Sequence, residues 1–538
     1  MSSEGSMKAR ETIAVPHQVG TTMAEPDPVA PSGGGDLTDE LIATDFWTDQ
    51  MVAAAGIPIR DVEYVSVGGG IGSFVTVDYL RICGVPPDKM KVLTQLDYPW
   101  QTYEYLTQVS QIPAGERLRS DSASRPDCIW GFPSYAFAEA FRAKSLSDFI
   151  APLFQVLTEP IFTDYYTPKA GQVFTMLRRE ADRISYDQMV DTGLVRMVRR
   201  RTGGGYFTIL TPPAGTEPTK RIAYRSRFVH VAVGYPGLKF LPDLQAYRTQ
   251  YNDYQHVVNA YEPHENIYQD LRHRQGTVVL RGGGIVASRI LQRLIDDRDR
   301  HGAQTNIIHL FRTYITGSHG PSAFMRRKGG NGWAYQGFNY PKAVWGGQFK
   351  SRMRRLEGEQ RAALYKTIGG TNTPHRKLWI QQLARGRKEG WYKTMIGEVE
   401  SVMPGQPTGT VTRIKTSEGL LEVKADYIID GTGLEAGIEE HRLLADLLDH
   451  GGAGRNPIGR LDVERSFEIR GTRNDNGRMY ASGASTLGGY FPGVDTFLGL
   501  QIAGQEIADD LISLGFAKRL GPLRSTRQWL RWARNKKI

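Results

Sequence analysis

The sequence predicts an α/β protein built on two copies of one unit. Three observations carry that reading. An apolar strand runs into three consecutive glycines and then a helix over Val62–Ser73, and the same order returns over Thr277–Ala287. A second apolar strand follows each copy, at Lys91–Leu96 and Asn306–Phe311. Glycine is in excess, 60 in 538 residues, and much of the excess sits in short clusters at strand ends rather than in a repeat.

In chain order, residues 1–36 are rich in Ser, Pro, Gly and Glu without apolar periodicity and read as a disordered leader. Asp36 is expected to cap a short helix reaching Ala55, with Leu41, Ile42, Phe46, Trp47 and Met51 on one side. The first unit then runs Val62–Val67, Gly68-Gly69-Gly70-Ile71-Gly72-Ser73, a helix to about Cys83, and a strand ending before Asp97. The second runs Thr277–Leu280, Gly282-Gly283-Gly284-Ile285-Val286-Ala287, a helix from Ser288 to about Asp297, and the strand ending at Phe311. Three further apolar strands end in glycine turns: Arg227–Val233 at Gly234, Asp426–Asp430 at Gly431 and Gly433, and Arg478–Ser482 at Gly483. A helix is expected from about Asp495 to Leu511.

The spacing of the triple-glycine turns fits a dinucleotide. The first glycine permits a sharp turn, and the second lets the backbone approach a pyrophosphate. The third position must be small so that helix and strand can pack, and the phosphates then meet helix N-terminal N–H groups. Both copies depart from glycine at the third position, with Ser73 and Ala287, but both substitutes are small.

Composition excludes several classes. No run approaches the ~18 apolar residues of a membrane span, and the first residues lack an apolar signal core. Two cysteines, Cys83 and Cys128, exclude a disulfide scaffold, a CxxC redox centre and a cysteine zinc site, and suit a reducing, cytoplasmic compartment. The net charge of +10 is uneven: eight Lys and Arg and no acid lie between Ala517 and Ile538. The body is therefore not a nucleic-acid surface. The tail, with Trp529 and Trp532 at helical spacing, is expected to dock through 518–537 on an anionic membrane surface or an acidic partner.

The order GGGIGS, VAVGYPG, GGGIVA, IIDGTG and YASGA before a helix resembles the two-dinucleotide-binding-domain flavoproteins. Within them it is most similar to the class B flavin monooxygenases: flavin-containing, Baeyer–Villiger and N-hydroxylating enzymes. The landmarks span about residues 60–515. The resemblance implies two Rossmann-like domains, the NADPH-binding one inserted into the FAD-binding one. The expected division is 37–262 and 416–516 for FAD, 263–415 for NAD(P)H with a substrate or lid insertion, and a basic aromatic tail over 517–538.

By that resemblance Gly68, Gly70, Gly72 and Ser73 hold FAD, with Asp97 or Gln95 on its adenosine ribose and Gly234, Gly483 and the Asp495 helix start nearby. Gly282, Gly284 and Ala287 hold NADPH, with Gly431 and Gly433 beside them. Phe311-Arg312-Thr313 stands where an NAD site carries an acid, so Arg312 is expected on a 2′-phosphate. His264 and Tyr268 match the fingerprint FxGxxxHxxxY/W, while Val258 and Ala260 replace its Phe and Gly. Ala484 follows Gly483 where an acid commonly binds the ribityl chain. His264 and Asn339 are the candidate catalytic residues, the latter in the aromatic, Gly-rich stretch 317–392.

The activity implied is oxygen transfer from O2 to a small organic substrate through a flavin C4a-peroxide. The alternatives are an NADPH:acceptor reductase using a quinone-type acceptor and a non-catalytic flavin-binding scaffold. A homo-oligomer is compatible with all three.

Overall fold

The computed structural model describes residues 35–118, 134–162, 166–213, 220–235, 237–318, 329–335, 347, 349–367, 377–435 and 437–538. Each glycine-turn unit becomes a five-stranded parallel sheet. In the first, β1 (Tyr64–Val67) leads through its turn into α1 (Ile71–Ile82), then β2 (Met90–Thr94), β3 (Val190–Thr192) and β4 (Phe228–Val231). The second holds β5 (Val257–Asn259), β6 (Gly276–Arg281), α2 (Ile285–His301), β7 (Thr305–Phe311), β8 (Tyr392–Ile396) and β9 (Tyr427–Asp430). The chain then returns to the first sheet with β10 (Arg478–Ala481) and α3 (Phe497–Ser513), followed by α4 (Pro522–Ala533).

The spatial orders are β10-β4-β1-β2-β3 and β5-β9-β6-β7-β8. Each glycine-turn strand thus lies between its own second strand and a strand from far downstream. The registers bring the glycine turns level: Val67 sits beside Leu93 and Val231, and Arg281 beside Leu310 and Asp430. Strands covered on both faces read as near-continuous apolar runs, as in Tyr64–Val67, where all four residues are buried. Helix α1 is clamped between this sheet and α3. A Cβ on Gly504 of α3 would stand 3.1 Å from the Val75 side chain, so the two helices pack closely. In the second unit α2 covers one face with Ile290, Leu291 and Leu294. The antiparallel strands Glu398–Pro404, Thr410–Thr416 and Gly419–Ala425 cover the other through Val402, Ile414 and Val423.

The second unit interrupts the first in sequence, as expected, but reaches further than 263–415. Strands β5 and β9 both belong to its sheet. The two chain crossings pair with each other: Gly237–Leu238 forms an antiparallel ribbon with Leu434–Glu435.

The helix expected from Asp36 to Ala55 is two short helices, Asp39–Ala43 and Asp49–Ala54, separated by the strand Phe46–Trp47. The reason is local. The Thr38 and Thr48 side chains each accept an N–H three residues on, from Leu41 and Met51, and so start two helices instead of one.

The tail also differs from expectation. Trp532 is buried against Ile82, with the Arg179 guanidinium 5.7 Å from its ring centre. Arg179 donates to the Trp532 carbonyl, and Gln528 donates to the carbonyl of Ile82. Half of the expected membrane-facing aromatic pair is therefore spent on the protein's own body, and Trp529 stays exposed. No helix among the described residues is long and apolar enough to cross a membrane.

Candidate functional site

A cavity of about 390 Å³ opens at the carboxyl ends of β1, β4 and β10, where open α/β sheets bind ligands. Three loops of the first unit build its floor: Gly70 and Gly72, Ala232–Tyr235, and Ser482–Ala484. Phe497 and Leu500 of α3 and Tyr103 add an apolar wall. The far side is Ile285, Val286 and Arg289, the first turns of α2 in the second unit.

The glycines divide by role. Gly68 has φ +86°, and a Cβ there would meet the Ala232 carbonyl oxygen at 2.6 Å. It makes the turn. Gly70 has an ordinary extended backbone, φ −71° and ψ −175°, and a Cβ there would meet nothing within 4 Å. It leaves a cradle that only an incoming group fills. Gly282 repeats the role of Gly68, with φ +112° and the Gly431 carbonyl oxygen 2.5 Å from a built Cβ. Ala287 meets the expected packing limit, since its Cβ would lie 3.2 Å from a Cβ on Gly431. Gly234, Gly433 and Gly483 all have positive φ, and each turns the chain at the end of its strand. Gly284 caps α2.

The remaining residues predicted to hold the cofactors fall in three groups. Asp495 lines the cavity and accepts a hydrogen bond from the Tyr235 hydroxyl. Asp97 is exposed just past β2, and its carboxylate accepts from Gln101 Nε2 at 3.2 Å. Gln95 Oε1, by contrast, is buried without a hydrogen-bond partner, as is Thr102 Oγ1 on the cavity wall. Arg312 and Thr313 are exposed at the end of β7.

His264 stands apart from the cavity lining. It is 2% exposed. Its Nδ1 lies 2.6 Å from the Glu262 carbonyl oxygen and its Nε2 3.0 Å from the Tyr268 hydroxyl. Both ring nitrogens are spent within its own segment, which leaves none for a reaction, contrary to the catalytic role expected of it. Burial lowers its pKa and keeps the ring neutral. Asn339 lies outside the described residues. Trp333, from the stretch expected to form a lid, is instead core: it packs edge-on against Phe311 and Trp379 at 5.9 and 5.5 Å.

Sequence reasoning missed the polar residues behind the turns. His309 on β7 is fully buried, and its Nε2 lies 2.6 Å from the Gly282 carbonyl oxygen. Desolvation pushes its pKa down to about 4, so the neutral ring donates that bond. Asp430 at the end of β9 is fully buried and accepts from the backbone and hydroxyl of Thr432, which fixes the Gly431–Gly433 turn. Arg289 pairs with Glu116 at 3.3 Å and donates to the Gln111 carbonyl, tying α2 to the first unit across the cavity. In the strands the signal was a polar residue inside an apolar run, such as His309 in Asn-Ile-Ile-His-Leu-Phe.

No family model matches the sequence, and no curated protein matches it. Solved structures do. An ornithine hydroxylase from Pseudomonas aeruginosa superposes with a TM-score of 0.57 at 15% identity, covering 85% of this chain and 100% of its own. An ornithine N-hydroxylase from Kutzneria sp. 744 gives 0.58 at 12%, with 84% and 99% covered. The cadaverine monooxygenase of desferrioxamine biosynthesis from Erwinia amylovora gives 0.59 at 12%, with 86% and 98% covered. At these identities the likeness is one of fold: the chain has the two-dinucleotide-domain architecture of these monooxygenases.

Proposed function

We propose that the protein is an FAD- and NADPH-dependent oxidoreductase, a monooxygenase acting on a small organic substrate. One observation carries the reading: the glycine turn of the first unit and the first helical turn of the second line the same cavity. The structures it resembles include enzymes described with FAD and with NADP+ bound.

The residues present fit the two cofactors. Gly70 offers an open cradle at the N-terminus of α1, and Gly72 is the second residue of that helix. Their backbone N–H groups and the positive end of α1 suit the FAD pyrophosphate. Gln95, with its unpaired buried oxygen, and Asp97 are the two candidates for the adenosine ribose. Gly282 and Gly284 hold the same place for NADPH, with Arg312 and Thr313 at the strand end for its 2′-phosphate. When bound, the flavin accepts hydride from the nicotinamide and activates O2 for transfer of one oxygen atom.

The chain's own part is placement and exclusion of water. Tyr103, Phe497 and Leu500 make the wall apolar, which strengthens every polar contact inside. Asp495, Thr496 and Phe497 at the N-terminus of α3 line the cavity, and the Thr496 hydroxyl accepts from Gly499 N at 3.1 Å. Tyr235, kept protonated by burial and by the neighbouring Asp495 carboxylate, holds that carboxylate at the rim.

Two finer readings remain part of this proposal. Contact with an anionic surface through 518–537 rests on the outer face of α4, where Leu523, Trp529 and Leu530 stay exposed among the tail's cations. NADPH preference rests on Arg312.

The test is the visible spectrum of the purified protein under anaerobic NADPH, then NADPH consumption with O2 and a panel of amines, sulfides and ketones. A monooxygenase is reduced by NADPH and consumes it in step with O2 and substrate. NADPH consumption that requires a quinone rather than O2 assigns the reductase alternative. A flavin that NADPH never reduces assigns the scaffold.

A further inference from the structure

Below the floor of the cavity, a row of buried polar side chains crosses the first sheet. Ser73 Oγ lies 2.7 Å from Ser66 Oγ. Ser66 Oγ lies 3.4 Å from His230 Nδ1, and His230 Nε2 lies 2.9 Å from Ser482 Oγ. Ser66, Ser73 and His230 are fully buried, and Ser482 is 2% exposed. The four residues come from α1, β1, β4 and the turn after β10, so the row ties together the elements that carry the cavity. Its near end reaches the glycine turn: a Cβ on Gly72 would stand 3.2 Å from Ser482 Oγ.

The row has a chemical direction. Desolvation drives the His230 pKa down to about 3, so the ring is neutral and carries one N–H. Two polarisations satisfy every member. In one, Ser482 donates to Nε2, Nδ1–H donates to Ser66, and Ser482 shows only lone pairs to the cavity. In the other, Ser73 donates to Ser66, Ser66 donates to Nδ1, and Nε2–H donates to Ser482. The Ser482 hydroxyl hydrogen is then free for an acceptor in the cavity that Ser482 lines. At the far end the Tyr186 hydroxyl donates to the Gly69 carbonyl oxygen at 3.4 Å. An acceptor oxygen in the cavity selects the second. The same row explains Ser73. A hydroxyl at this helix–strand contact needs a buried partner, and Ser66 supplies it.

We propose that Ser482 is a cofactor-contacting residue that donates to a phosphate oxygen of the dinucleotide, and that His230, Ser66 and Ser73 are positioning residues that hold its hydroxyl in that sense. The proposal rests on the flavoprotein reading above.

The experiment titrates the flavin-stripped full chain with FAD and with riboflavin, which lacks phosphate, by flavin fluorescence. The variants are Ser482→Ala, His230→Phe and His230→Gln. Ser482→Ala is expected to weaken FAD about tenfold, one charge-assisted hydrogen bond, to leave riboflavin affinity unchanged, and to lower the melting temperature slightly because His230 Nε2 loses its buried partner. His230→Phe is expected to cause a similar loss, with no further loss in the double variant. His230→Gln, which keeps an N–H for Ser482, restores most of the affinity. Equal FAD affinity for wild type and Ser482→Ala overturns the proposal alone, as do losses that add in the double variant or fall equally on riboflavin. Should His230→Phe fail to fold, Ser482→Ala alone still decides. A wild-type chain that takes up no flavin overturns the flavoprotein reading, and this proposal with it.

Discussion

Gly70→Val separates folding from cofactor binding at one position. The backbone of Gly70 is ordinary extended chain, and a Cβ meets nothing within 4 Å, so a side chain enters there without the backbone collision met at Gly68. Its cost to the fold is the poorer N-cap of α1, about 1 kcal/mol, or under about 3 °C in a chain of this size. Its effect on binding is far larger. The added methyls occupy the space through which a pyrophosphate reaches the helix N–H groups. Losing two charge-assisted bonds of about 1.5–3 kcal/mol each lowers FAD affinity more than about 100-fold. Gly68→Ala is the contrast. There φ is +86° and the Ala232 carbonyl oxygen lies 2.6 Å from the new Cβ, so the turn itself must move and the melting temperature should drop clearly. The assays are differential scanning calorimetry of the flavin-free chains and FAD titration. The reasoning fails if Gly70→Val binds FAD like wild type, or if it melts as low as Gly68→Ala.

Three other outcomes follow from the structure. Arg312→Ala should reduce the preference for NADPH over NADH by about 10–150-fold, measured as the ratio of kcat/KM values; equal use of the two coenzymes by the wild type would reject the assignment. Burial lowers His230 to about 3 and His309 and His441 to about 4, against about 6.5 in the unfolded chain, so their contribution is complete above pH 6.5 and is lost as the pH falls toward 4. The loss is about 1.4 kcal/mol per pH unit for each histidine; urea unfolding at pH 7, 6 and 5 should show it, and His309→Gln should flatten the profile. Trp532→Ala removes a mostly buried ring from the contact with Ile82 and should cost about 3 kcal/mol, with α4 becoming the first site of limited proteolysis. Unchanged stability and cleavage would mean that the tail is not part of the fold.

The parts of this molecule that were legible in the sequence are those whose chemistry is local. A strand, three glycines and a helix carry their own meaning, and both copies fold as read. The two threonine caps at Thr38 and Thr48 were also on display, and reading Asp36–Ala55 as one helix passed over them. What was not legible depends on distant partners. His230 and Ser482 are 252 residues apart, so a histidine inside Phe-Val-His-Val announced only that something polar must face it. Trp529 and Trp532 share a helix but have different fates, because Ile82 waits beside only one of them. The insertion's limits were misjudged for a similar reason: β5 and β9 join the second sheet through pairing that no local pattern reveals. His264 is the exception, because Tyr268, four residues on, is a ready internal partner within its own segment.

The paired crossings between the two units have a mechanical consequence. Two independent tethers would let the second unit swing and twist freely against the first. Bonded side by side as a ribbon, Gly237–Leu238 and Leu434–Glu435 resist twist and shear and yield most readily to bending across their own plane. Bending of the ribbon would alter the gap between the two glycine turns, and the Arg289–Glu116 pair spans the two units there. The two chain crossings are thus coupled to each other by backbone hydrogen bonds rather than running as separate tethers.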